Sequence, residues 1–128
     1  MRIAFTEREL DVMAVLWERG SGTVTEVRDA LAGDFAYTTV LTVLRTLEEK
    51  GYATHTTEGK AHRYVPLVAQ DAAGKSALSL VLDKIFGGSA ELLLTQLVSD
   101  RTLDASMLRR LRRTLDERLA DDEPEDKR

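Results

Sequence analysis

The stretch YTTVLTVLRTLEEKG, residues 37–51, decides the fold. Val40, Val43, Leu44 and Leu47 recur at three- and four-residue spacing, which predicts an amphipathic helix from about residue 36 to 50. Gly51 follows where a left-handed residue favours helix termination. The rest of the helix surface holds four threonines: Thr38, Thr39, Thr42 and Thr46. A β-branched residue loses rotamer freedom in a helix and is a poor choice for a face that meets only water. Threonine hydroxyls do suit phosphates and base edges, and their methyls suit the thymine methyl in a major groove. Leu41, expected to be exposed on the same side, offers another apolar contact. Arg45, one turn on, would reach a guanine edge or a phosphate. The alternative is a solvated helix whose threonines are incidental.

The segments on either side give this helix its context. Upstream, Thr6 and Glu9 form a capping box that opens a first helix with Leu10, Met13, Leu16 and Trp17 turned inward, and Gly20 and Gly22 end it. A second box, Thr23 with Glu26, opens a short helix carrying Val27, Ala30 and Leu31 on one side, closed by Gly33-Asp34. Downstream of Gly51 the period shifts to roughly two. Thr54 to Thr57 and Ala61 to Val65 read as two strands around a glycine-containing turn, and Pro66 stops the second. Three helices followed by a hairpin is the order of a winged helix-turn-helix, here residues 1–68 of a mainly α (α+β) chain. Lys60, His62 and Arg63 lie near the hairpin turn, where cations would follow a phosphate backbone; a solvated hairpin tip is the alternative. His55 and His62 lack the cysteines or convergent carboxylates of a good metal site and read as wing or surface residues.

Residues 69–120 return to helical periodicity. Leu78, Val81, Leu82, Ile85 and Phe86 form a stripe ending at Gly87-Gly88. Ser89 caps a shorter helix with Leu92, Leu93, Leu97 and Val98, and Asp104 caps a last one with Leu108, Leu111, Leu115 and Leu119. So short a segment cannot bury that much apolar surface alone, which predicts a homodimer interface; folding back on the N-terminal domain is the alternative. In LRRLRRTLDER, residues 108–118, four arginines lie opposite the leucines. They are expected to be solvated, with Arg112–Asp116 and Arg113–Glu117 pairs. Residues 121–128, with the acidic run DDEPED, read as a solvated tail.

Composition removes whole classes of function. With no cysteine among 128 residues, thiolate metal sites, cysteine nucleophiles and disulfides are excluded. The N-terminus lacks the apolar core of a secretion signal, and no run approaches the roughly 18 apolar residues of a membrane span, so a soluble, cytoplasmic protein is expected. The net charge is −4, but residues 37–65 hold Arg45, Lys50, Lys60 and Arg63 against Glu48, Glu49 and Glu58. Acidity elsewhere therefore does not bar a polyanionic partner. No nucleophile-base pair, phosphate-binding glycine loop or paired carboxylates stands out, so neither an enzyme nor a cofactor is expected.

The chain resembles the BlaI/MecI/CopY penicillinase-repressor family. The resemblance runs through LDVMAVLW (10–17), TVTEVRDAL (23–31), AYTTVLTVLRTLEEKG (36–51), GKAHRYVPLV (59–68) and IFGGS (85–89). It implies a homodimeric winged-helix repressor that covers inverted-repeat operators with TACA/TGTA-type half-sites, typically near β-lactam resistance genes. It also implies contacts from Thr38, Thr39 and Thr42 in the recognition helix and from Lys60 and Arg63 in the wing. Three features depart from the family pattern. The order Arg45-Thr46-Leu47 places arginine one position early, Gln96-Leu97 stands where the β-lactam branch has a cleavable Asn-Phe bond, and the copper branch's cysteine motif is missing. Two other readings predict different behaviour. A protein-interaction module would give no sequence-selective DNA shift, and a ligand- or metal-sensing regulator would change its DNA affinity with the ligand.

Overall fold

The computed structural model describes residues 3–123. The chain divides into two compact units, with the boundary between Leu80 and Val81. The first unit thus extends past residue 68, where the sequence places the end of the winged domain.

The first unit contains α1 (Glu7–Arg19), β1 (Gly22–Thr23), α2 (Val24–Ala30), α3 (Tyr37–Glu49), β2 (Ala53–Glu58) and β3 (Ala61–Pro66), followed by the start of α4 (Gln70–Lys84). This is a winged helix-turn-helix. Both predicted capping boxes form: Thr6 with Glu9 opens α1, and Thr23 with Glu26 opens α2. At the end of α3, Gly51 adopts φ +84. Its N–H donates to the Glu48 carbonyl, and the Tyr52 N–H reaches back to Leu47 at 2.9 Å. That pair of reversed bonds is a Schellman motif, which satisfies carbonyls of the last turn and sends the chain into β2.

The three strands form one antiparallel sheet in the order β1-β3-β2. The sequence predicts two of them. The third, β1, consists of two residues and was legible only as a helix end and a cap. Gly22 is needed there because a Cβ would lie 2.9 Å from the Val27 side chain. The β2–β3 turn is Gly59-Lys60, closed by the Glu58↔Ala61 pair. Gly59 has φ +61, and no non-glycine residue has positive φ among those described, the sign pattern of a II′ hairpin turn.

Val12, Met13 and Leu16 of α1 meet Val27 of α2, Val40, Leu44 and Leu47 of α3, and Tyr64 of β3 in one core. The inward face of α1 differs from expectation. Leu10 is 43% exposed, and Glu9 and Val12 face the core instead, because the capping carboxylate turns inward. Trp17 is half-buried and donates its indole N–H to the Val68 carbonyl at 2.8 Å. On α2, Ala30 is exposed and Leu31 half-buried. In α4, Ala73 is buried, and the Ile3 N–H donates to Ser76 Oγ at 2.9 Å.

The second unit comprises the end of α4, α5 (Ala90–Val98) and α6 (Ala105–Asp122). Ser89 and Asp104 cap α5 and α6 as expected. Helix α6 includes Asp121 and Asp122, so the acidic tail does not begin at residue 121; residues 124–128 lie outside those described. Among the described residues, the ion pair on α6 is Arg118–Asp122, not the two expected at 112–116 and 113–117. No described helix is long and apolar enough to cross a membrane.

Candidate nucleic-acid interface

The core fixes which side of α3 faces out. With Val40, Leu44 and Leu47 buried, Thr38, Thr39, Thr42 and Arg45 are all exposed on the remaining surface. Tyr37, at the first helical position, lies three and seven residues from the buried Val40 and Leu44 yet is 46% exposed. Helix α3 differs from α1 and α2 at its start: Ala36 provides no side-chain cap, and the first turn holds no acidic residue. Its first N–H groups and the positive end of its dipole are therefore not met by a capping side chain.

Three expected contacts change character. Leu41 is half-buried against the core rather than freely exposed, because Val40 and Leu44 draw that side of the helix inward. Thr46 is also half-buried. The Thr42 hydroxyl donates to the Thr38 carbonyl at 2.9 Å, so its proton is engaged within the helix. Thr38 and Thr39 make no such bond among the described residues.

The wing residues have three different environments. Lys60 occupies the turn and is exposed. The exposed His62 stacks on His55, with ring centroids 4.1 Å apart and planes 13° from parallel. His55 Nδ1 in turn lies 2.8 Å from a Glu48 carboxylate oxygen on α3. These two contacts tie the inner face of the hairpin to the end of α3, a link that histidine spacing did not reveal. Beneath them, burial pushes the Tyr64 hydroxyl up, with Glu48 reinforcing the shift and Arg45 opposing it.

Arg63 differs most from its expected place at the wing surface. It is half-buried: Nη1 donates to Glu26 Oε1 at 2.9 Å and to Ser21 Oγ at 3.2 Å, Nη2 to Glu26 Oε2 at 3.3 Å, and Nε to Glu58. Those bonds hold its guanidinium well above the ordinary range, Glu58 contributing most and Glu26 next. Arg19 adds a second cation to Glu26 at 3.3 Å. Glu26 on α2 and Glu58 at the end of β2 carry charges visible in the sequence, but no spacing marks them as supports of the wing.

Just before α3, the Arg8 guanidinium lies 4.4 Å from the centroid of the Phe35 ring. No cluster of three or more potential metal ligands occurs among the described residues.

A profile of the penicillinase repressor family matches residues 5–117. The chain belongs to the penicillinase repressor family. The family's description is one of repressors. Two Mycobacterium tuberculosis proteins, from strains CDC 1551/Oshkosh and H37Rv, are named transcriptional regulator BlaI. Each is 42% identical over 66 residues, covering 49% of this chain and 48% of theirs. The chain thus spans about half the length of the curated relatives it matches. Among solved structures, the DNA-binding domain of the repressor BlaI is 29% identical over 56% of this chain and 93% of its own, with a TM-score of 0.49. A CopR repressor is 28% identical over 53% of this chain and 99% of its own, with a TM-score of 0.45. In this penicillinase-repressor chain, the family match extends beyond the winged unit into α6.

The dimerisation residues expected from sequence retain substantial surface in the single chain. Leu78, Ile85, Leu97, Leu108, Leu111 and Leu115 are exposed, whereas Val81, Leu82, Phe86 and Leu93 are half-buried. Neither α5 nor α6 contains a buried residue. So many exposed leucines form the kind of apolar surface that marks an interaction site.

Proposed function

We propose that this penicillinase-repressor chain is a cytoplasmic, homodimeric transcriptional repressor that binds an inverted-repeat operator. Each protomer lays α3 into the major groove of one half-site, with the Gly59-Lys60 turn alongside. The observation that carries this reading is the exposed Thr38, Thr39, Thr42 and Arg45 face, backed by a fully buried Val40, Leu44 and Leu47 stripe. Such a face offers hydroxyls, methyls and a cation to base edges while the core fixes its orientation. Half-buried Leu41 and Thr46 border it and provide methyl surface, and Lys60 and His62 supply the wing contacts.

Dimerisation through the apolar faces of α4, α5 and α6 would set the spacing of the two recognition helices. Repression would then follow from occlusion of promoter DNA. The family's description and the relatives' names make β-lactam resistance genes the first targets to examine. A gel-shift series with the DNA upstream of the protein's own gene tests the reading. A selective complex that weakens steeply with salt supports it, and binding indifferent to sequence overturns it.

A further inference from the structure

Arg63 brings together three parts of the winged unit. The Thr23↔Arg63 pair places it on β3 opposite the N-cap of α2, and its side chain extends to Glu26 on that helix. It also reaches Ser21, just before β1, and Glu58, which closes the wing turn. Glu26 is itself held, because its Oε1 accepts the Thr23 N–H at 3.1 Å in the capping box. A bidentate guanidinium–carboxylate fork restricts orientation as well as distance. Lys60, next to Gly59 in the turn, can be placed reproducibly against a phosphate only if the turn itself is fixed.

We propose that Arg63 is a positioning residue that straps the wing to α2, and that Lys60 makes the phosphate contact the strap serves. This rests on the DNA-binding reading above. An arginine directed at Glu26 and Glu58 contributes to operator affinity through the geometry of the wing, not by adding a counterion of its own. The two roles predict opposite signs for loss of the acidic partners. If Arg63 touched phosphate, neutralising Glu26 or Glu58 would free it and remove a repelling charge, and affinity would rise. If Arg63 is the strap, the same changes loosen the wing and affinity falls.

The test uses the full chain and salt-dependent operator binding for Glu26→Gln, Glu58→Gln, Arg63→Ala, Lys60→Ala and the Arg63→Ala/Lys60→Ala double variant. Glu58→Gln is included because it leaves the α2 cap untouched, and thermal melts establish that each variant is folded. The strap predicts that Glu26→Gln and Arg63→Ala each weaken binding about five- to tenfold, a coupling typical of residues in one network. Lys60→Ala then costs less than about twofold once Arg63 is gone, and the two single variants and the double share one salt slope, shallower than wild type by about one ion. Affinity that rises on neutralising either carboxylate, or slope losses that add in the double variant, overturns the strap. Wild-type protein without selective, salt-sensitive binding overturns the DNA reading itself.

Discussion

Lys50 Nζ lies 2.8 Å from Glu9 Oε2 and 2.9 Å from Oε1, although the two residues are 41 positions apart. Glu9 is 4% exposed and uses the same Oε1 to accept the Thr6 N–H at 2.8 Å. One buried carboxylate thus caps the start of α1 and holds the residue that caps the end of α3. Lys50→Ala should leave that carboxylate short of its cation and destabilise the winged unit by about 1–3 kcal/mol, discounted from a fully buried pair because Lys50 reaches solvent. Chemical denaturation would measure it. A change below about 0.5 kcal/mol would mean that water replaces the ammonium without loss.

Acid should weaken the fold through the same group. Burial pushes the Glu9 carboxyl up, but the bonds from Lys50 and Thr6 outweigh it and leave the group below its ordinary 4.5. Glu26 is also lowered, mainly by its bond from Arg63. When the folded state holds a proton less readily than the unfolded chain, its advantage is complete above the ordinary carboxylate value and disappears as pH falls through the lower folded value. Stability should therefore decline from about pH 4.5 downward, and Glu9→Gln should flatten that decline. Denaturation midpoints between pH 2 and 7 would show it, and parallel curves for wild type and Glu9→Gln would remove Glu9 from the account.

Thr42 should read thymine through its methyl. Its hydroxyl proton is bound to the Thr38 carbonyl, which leaves Cγ2 as the apolar end of the side chain. Thr42→Val should keep operator affinity within about twofold, while Thr42→Ser should lose roughly the 1–3 kcal/mol by which a good base contact discriminates, or the lower part of that range. Uracil in place of thymine should abolish the difference between the variants. The opposite ranking, with Ser tolerated and Val not, would assign the contact to the hydroxyl oxygen.

Much of the fold was legible because local signals agreed. Two capping boxes, the Val40–Leu44–Leu47 stripe, Gly51 and the turn before Ala61 each specify one boundary, and each forms. Leu10 misled because positions 10/13/16/17 are all apolar at a helical period, whereas the set that faces inward, 9/12/13/16, includes the charged Glu9, whose burial depends on its tertiary pairing with Lys50. Strand β1 is too short for any period to appear. At the proposed DNA surface, the outward threonines and Arg45 were readable from the core behind them. The role of Arg63 was not, since a cation beside a hairpin turn looks the same in sequence whether it faces phosphate or a carboxylate 37 residues away.

The apolar faces of α5 and α6 lead to the last prediction. Leu97, Leu103, Met107 and Leu111 line a depression in the second unit, and Leu108, Leu115 and Leu119 remain exposed along α6. If two copies bury these leucines against each other, a single Leu111→Asp change places a charge where both protomers would bury it, and the two-fold relation applies the penalty twice. Sedimentation or light scattering should then show a monomer at concentrations where wild type is a dimer. Operator affinity should fall by orders of magnitude while the circular dichroism of the winged unit is retained, because each half-site would have to be bound without its linked neighbour. Leu111→Met, which keeps size and polarity, should leave the dimer intact. If Leu111→Asp remains dimeric and binds the operator as wild type does, the protomers must meet through a different surface.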